Sequence, residues 1–175
     1  MTARHGAVLA LAMTAVSAAG MAGAVVHRLS WDASGLASGL PERAWVLAAD
    51  DAAPRRLAGR LAAMGEAPPE FTAGTALMLV SSGPSLDQPD QARAGALRRQ
   101  GHHFSLDVDH TQVRATGANL ERNLHWRPLV QAPLPTGLAP GDYTVTVRWR
   151  AVDSLDHGSA LPQPPRVQTL ELRLR

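Results

Sequence analysis

The residues best equipped for chemistry lie in one stretch, His102-His103-Phe104-Ser105-Leu106-Asp107-Val108-Asp109-His110. Imidazole and carboxylate donors together suit copper or zinc, and a site in this cysteine-free chain of 175 residues would have to use them. His103, Asp107, Asp109 and His110 are therefore candidate metal ligands, with His125, Asp153, Asp156 and His157 available to join them. Spacing sets a condition on that reading. At about 3.3 Å per residue along a strand, His103 and Asp107 stand roughly 13 Å apart. Two ligands of one ion are only about 4 Å apart, so a site would have to be assembled across strands. The plainer expectation is that His103 and Asp107 occupy the wet face of a strand and that Asp109-His110 turns the chain.

A second set suits recognition. Gly117 to Pro128 reads as a shaped loop, because Asn119 and Asn123 tolerate turn geometry, and it carries Arg122, Trp126 and Arg127, residue types enriched where interfaces concentrate their energy. Arg148 and Arg150 are further candidates for meeting a partner. No nucleophile emerges. Ser81-Ser82-Gly83 lacks the G-x-S-x-G elbow, no glycine-rich phosphate loop is present, and no carboxylate pair is set in an evident cleft, so no catalytic residue is assigned.

The elements that would carry these residues read mainly as strands. Phe104, Leu106 and Val108 alternate with polar residues, as do Tyr143, Val145, Val147 and Trp149, which sends Arg148 and Arg150 to the opposite face. Leu170, Leu172 and Leu174 repeat the pattern at the end of the chain. Thr75 to Ser81 is an apolar run of strand length, and Gln112–Ala118 and Leu124–Gln131 are further strand candidates. Arg43 to Ala49 fits a strand or a helix start. Asp50-Asp51 before Pro54 predicts a helix to Met64 with Leu57, Leu61 and Met64 in one stripe, and Asp90 can cap a helix over 91–100. Short strands separated by Pro/Gly turns favour an antiparallel β-sandwich, immunoglobulin-like or CopC-like in general architecture, preceded by one or two short helices.

The segment Gly137-Leu-Ala-Pro-Gly-Asp-Tyr-Thr-Val-Thr-Val-Arg-Trp-Arg-Ala-Val152, followed by Asp156-His157-Gly158, resembles the last third of the CopC-like periplasmic copper-binding sandwiches, in which a proline-glycine turn feeds a strand ending near an aspartate-glycine-histidine. The likeness covers about 22 residues. It implies a periplasmic sandwich and copper as a cofactor. The order here is Asp-His-Gly, which departs from that pattern.

Composition bounds the rest. All 17 basic residues are arginine, spread from Arg4 to Arg175 among 15 acids for a net charge of +2, a distribution unlike the concentrated patch of a nucleic-acid binder. Without cysteine there is no disulfide, thiolate nucleophile or zinc ribbon. Arg4 and an uncharged stretch from Ala7 to Val26, with Ala22-Gly23-Ala24 as a small-residue exit, predict an export signal cleaved after Ala24 or, if retained, a membrane anchor. Residues 1–26 thus read as signal or anchor, 27–42 as a linker, and 43–175 as one globular domain with the sandwich over 75–175. The expectation is an exported, secreted or periplasmic, non-catalytic binding, accessory or envelope module without a cofactor, whose partner is a protein or the cell envelope. The alternatives are a periplasmic copper- or zinc-binding protein and an enzyme with a cross-strand site.

Overall fold

Two kinds of apolar pattern in the sequence become two kinds of sheet. In a computed structural model the described residues are mainly β, with ten strands among them in two sheets that face each other across one apolar core. The structure describes residues 23–31, 41–52, 57, 60–61, 64–65, 67–84, 92–111, 125–155 and 159–175, with backbone alone at 27–31 and 125–127. The strands are β1 (Val25–Trp31), β2 (Ala44–Ala48), β3 (Glu70–Phe71), β4 (Leu77–Ser82), β5 (Ala92–Ala94), β6 (Arg98–Gln100), β7 (His103–Thr111), β8 (His125–Pro133), β9 (Gly141–Val152) and β10 (Arg166–Leu174).

The four-stranded sheet runs β1-β8-β4-β2, antiparallel throughout. β2 (AWVLA) and the first four residues of β4 (LMLV) are apolar without interruption because both faces are covered. Val46, Leu79, Val130 and Ala132 enter the core between the sheets, whereas Trp45, Leu47, Val80 and Leu129 meet Ala52, Leu57 and Leu61 on the far side. Leu57, Arg60 and Leu61 are helical, so the described part of the segment expected over 54–64 covers this sheet. Asp50-Asp51, read as the start of that helix, lie in a 3₁₀ turn, Ala49–Ala52.

The six-stranded sheet runs β3-β10-β9-β7-β5, with β6 also paired to β7. Here alternation holds: Phe104, Leu106 and Val108 are buried, as are Tyr143, Val145, Val147 and Trp149, while Arg148 and Arg150 are exposed.

Several expectations need correction. The sheets are not all antiparallel, because β7 lies parallel to β9, the intervening β8 being in the other sheet, and β3 lies parallel to β10. Residues 27–31 are not linker: they belong to β1, and β1 and β2 place sandwich strands before residue 75. Pro41 and Glu42 are anchored too, through Ser82 Oγ to the Pro41 carbonyl and an ion pair from Glu42 to Arg166. Asp109-His110 forms no turn but continues β7 to Thr111. The helix expected over 91–100 is replaced, in its described part, by β5 and β6, because β7 offers an unpaired edge that both can join. Gly95 N–H is bonded to the Asp107 carbonyl at 2.8 Å. Gly101, at φ +60°, opens the two-residue loop between β6 and β7, the position where a II′ hairpin turn requires glycine. The N-terminal export or anchor helix expected over 7–26 lies outside the described residues as far as Ala22, and its last two residues, Val25 and Val26, belong to β1 and are strand; the strand expected over 112–118 also lies outside the described residues.

Candidate functional site: the outer face of the six-stranded sheet

Parallel register between β7 and β9 decides what the outer face displays. Asp107 stands opposite Arg148 and Asp109 opposite Arg150. Alternation puts all four on the side away from the core. Arg150 grips Asp109 with two parallel bonds, Nε to Oδ1 and Nη2 to Oδ2, both at 2.8 Å, a planar fit that only arginine provides. The hydrogen bond to Asp109 holds the Arg150 guanidinium pKa above its ordinary value, so this arginine stays charged at any accessible pH. Asp107 is shared more loosely, 3.6 Å from Arg148 and 3.8 Å from Arg98 of β6. Farther along the sheet, Arg173 joins Asp142 at 2.7 Å and Glu70 at 3.4 Å, and Arg175 meets Glu70 at 2.9 Å. The face is a lattice of alternating charges, ordered by its own ion pairs and open to solvent.

This geometry separates the expected metal ligands. His103, Asp107 and Asp109 share the outer face, whereas His110 points into the core, 3% exposed, on the side of Phe104, Leu106 and Val108. A flat sheet cannot bring its two faces together around one ion. Asp107 and Asp109 are also engaged by arginines, and among the described residues no three His, Asp or Glu side chains are grouped to hold a metal. The copper or zinc set His103, Asp107, Asp109 and His110 is therefore not assembled here.

Of the expected recognition residues, Arg148 and Arg150 reach the surface together. Trp126 and Arg127, expected in a loop, belong to the backbone of β8, where they pair with Ser30 and Leu29, and their side chains lie outside the description. Asn119 and Arg122 lie outside the described residues.

Sequence reasoning missed a polar cluster at one end of the core. Trp149 Nε1 donates to Ser81 Oγ at 2.9 Å, Ser81 Oγ donates to Gln168 Oε1 at 2.7 Å, and Gln168 Nε2 donates to the Ser82 carbonyl at 2.8 Å. Ser81 belongs to the four-stranded sheet and the other two side chains to the six-stranded one, so the chain of bonds crosses the sandwich. The clue was available in β10, where Gln168 occupies the inward position that Leu170, Leu172 and Leu174 continue. A polar residue in an apolar stripe has to find partners inside. Gly83 completes the cluster: a Cβ there would lie 2.5–2.8 Å from three ring carbons of Trp149, so the indole packs directly on the glycine backbone.

A shallow cleft of about 190 Å³ lies between the edges of β2 and β10, lined by residues that include Arg43, Trp45, Met64, Pro68, Leu170 and Glu171.

No protein-family model, no curated protein and no solved structure matches the chain.

Proposed function

We propose that this protein is an exported, non-catalytic β-sandwich module that meets a protein or cell-envelope partner through the outer face of its six-stranded sheet. The observation that carries this reading is the ordered arginine–carboxylate lattice around Arg148 and Arg150. Ion pairs within it hold long side chains in fixed positions before any partner arrives, which lowers the entropy lost on binding. Alternating charge also favours a partner of complementary pattern over a uniformly charged polymer.

Export is supported by the fit between leader and fold. The Ala22-Gly23-Ala24 exit ends where β1 begins at Val25, so cleavage there would leave the first strand whole. Among the described residues no helix is long and apolar enough to cross a membrane. An immunoglobulin-like or CopC-like type of sandwich is supported by Tyr143, near the start of β9, whose hydroxyl donates to the Ala139 carbonyl four residues upstream at 2.8 Å. This is the arrangement known as a tyrosine corner in sandwiches with Greek-key connections.

Replacing Arg148 and Arg150 together by glutamine tests the binding face, because it removes two charges and leaves the buried face of β9 intact. The expected result is unchanged thermal stability with reduced recovery in pull-down or envelope-fraction association. Unchanged association at unchanged stability would remove this face from consideration. Intact-mass measurement of exported material tests the leader: a chain beginning at Val25 is expected, and retention of residues 1–24 would favour the anchor.

A further inference from the structure

We propose that His110 and Trp149 form an acid-released latch between the two sheets, closed while His110 is neutral and opened when it takes up a proton. His110 is buried at the core end of β7, flanked across the sheet by Ala92 of β5 and Ala151 of β9. Its ring centroid lies 6.3 Å from that of Trp149, with the planes tilted by 54°. Its Nδ1 is buried and has no hydrogen-bond partner. A neutral imidazole can leave Nδ1 as an unused acceptor at modest cost. An imidazolium carries N–H on both nitrogens, so protonation would leave a charged donor without an acceptor in the core.

Among the described residues the surrounding charges offset this only in part, Asp109 and Glu42 favouring the proton and Arg166 opposing it. Asp109, the preceding residue, faces the opposite side of the sheet in the grip of Arg150. On β5, Arg93 faces outward and donates to the Leu155 carbonyl. At the start of β10, Arg166 is paired with Glu42, which precedes β2. β4 contributes Ser81, Ser82 and Gly83, none of which titrates. Burial accordingly holds the His110 pKa below its ordinary value, outweighing a hydrogen bond from the imidazole to the Thr111 backbone that favours the charged ring. The sign follows from linkage. The unfolded or locally opened chain binds a proton at an ordinary pKa of about 6.5 and the closed state only at lower pH, so closure is fully stable above about 6.5 and weakens as pH falls below it.

Trp149 converts this into an opening. The indole belongs to the six-stranded sheet, yet it is held by Ser81 and packed on Gly83 of the chain leaving β4. Gly83 N–H is itself bonded to the Pro128 carbonyl of β8 at 2.9 Å. Expulsion of a charged His110 removes the packing on one side of the indole, and the contacts on its other side are the ones that tie the sheets together.

The test uses the full chain. Amide exchange at Gly83 and indole N–H exchange at Trp149, corrected for intrinsic rates, are expected to accelerate several-fold, up to the limit of about tenfold that one proton with an open-state pKa near 6.5 can supply, between pH 7.5 and pH 5.5. Exchange should become independent of pH in His110→Leu. Equal acceleration in both proteins overturns the proposal. Should the leucine variant not fold, the His110 ring resonance in the unsubstituted protein decides by NMR: titration below about 6.5 with accelerated Gly83 exchange supports the latch, and titration at or above about 6.5 overturns it.

Discussion

The two sheets solve the same packing problem in opposite ways. The four-stranded sheet is covered on both sides, by the other sheet and by the segment carrying Leu57 and Leu61, and its strands β2 and β4 are correspondingly apolar without a period. The six-stranded sheet is covered once, and every second residue of β7 is free to be polar. Among the described strands, the sheet that keeps a face in water is the one that can offer its side chains to a partner. The difference teaches that an outward-facing position has no fixed meaning in this molecule, because what lies over the sheet decides whether it is core or surface.

One substitution placed at three positions can break that comparison. Val147→Asp, between the sheets, and Val80→Asp, on the far side of the four-stranded sheet, should each destabilise by about 3–5 kcal/mol, since both bury an unpaired charge. Val167→Asp, on the outer face of the six-stranded sheet at 55% exposure and opposite Arg148, should change stability by no more than about 0.5 kcal/mol. Urea unfolding of the three variants measures this ordering. A mild effect of Val80→Asp would show that the cover over the four-stranded sheet does not exclude water.

Truncation sharpens the same point at lower cost. Leu61→Ala, in the cover, should lose about 2–5 kcal/mol by leaving a cavity against Trp45, Val80 and Leu129. A loss below about 1 kcal/mol would mean that the segment is only draped over the sheet. Next come the residues that join the sheets. Gly83→Ala should cost about 1–3 kcal/mol, because the new methyl would displace the Trp149 ring. Ser81→Ala should cost a similar amount by stripping the buried indole N–H of its acceptor. Tryptophan emission should shift in both variants. Asp109→Asn, which weakens a half-exposed pair with Arg150, should cost only about 0–1 kcal/mol, with the difference shrinking at high salt.

Where a strand's own side chains set its fate, the sequence could be read. β7, β9 and β10 follow from period-two alternation, and burial of Tyr143, Val145, Val147 and Trp149 agrees with the face assigned to them. The exposure of Arg148 and Arg150 was equally legible. Arg148 and Arg150 face Asp107 and Asp109 of a parallel neighbour, and no local pattern announces which strand lies alongside. β5 and β6 were invisible for a related reason. Alanine, arginine and glutamine suit a helix, and only the open edge of β7 makes strands of Ala92–Ala94 and Arg98–Gln100. The four expected metal ligands divide at one residue: His110 sits one position beyond Asp109, and a step of one along a strand crosses the sheet.

The pairing of β1 with β8 also bears on how the chain reaches this state. Val25 lies opposite Gln131, so the first strand must wait for roughly a hundred further residues before β8, its partner among the described strands, exists. The parallel pairing of β7 with β9 likewise spans β8, which docks on the other side of the core. Assembly by successive hairpins is therefore unavailable to either sheet as a whole. The chain is expected to refold slowly for its size, with β1 among the last strands to lock in place.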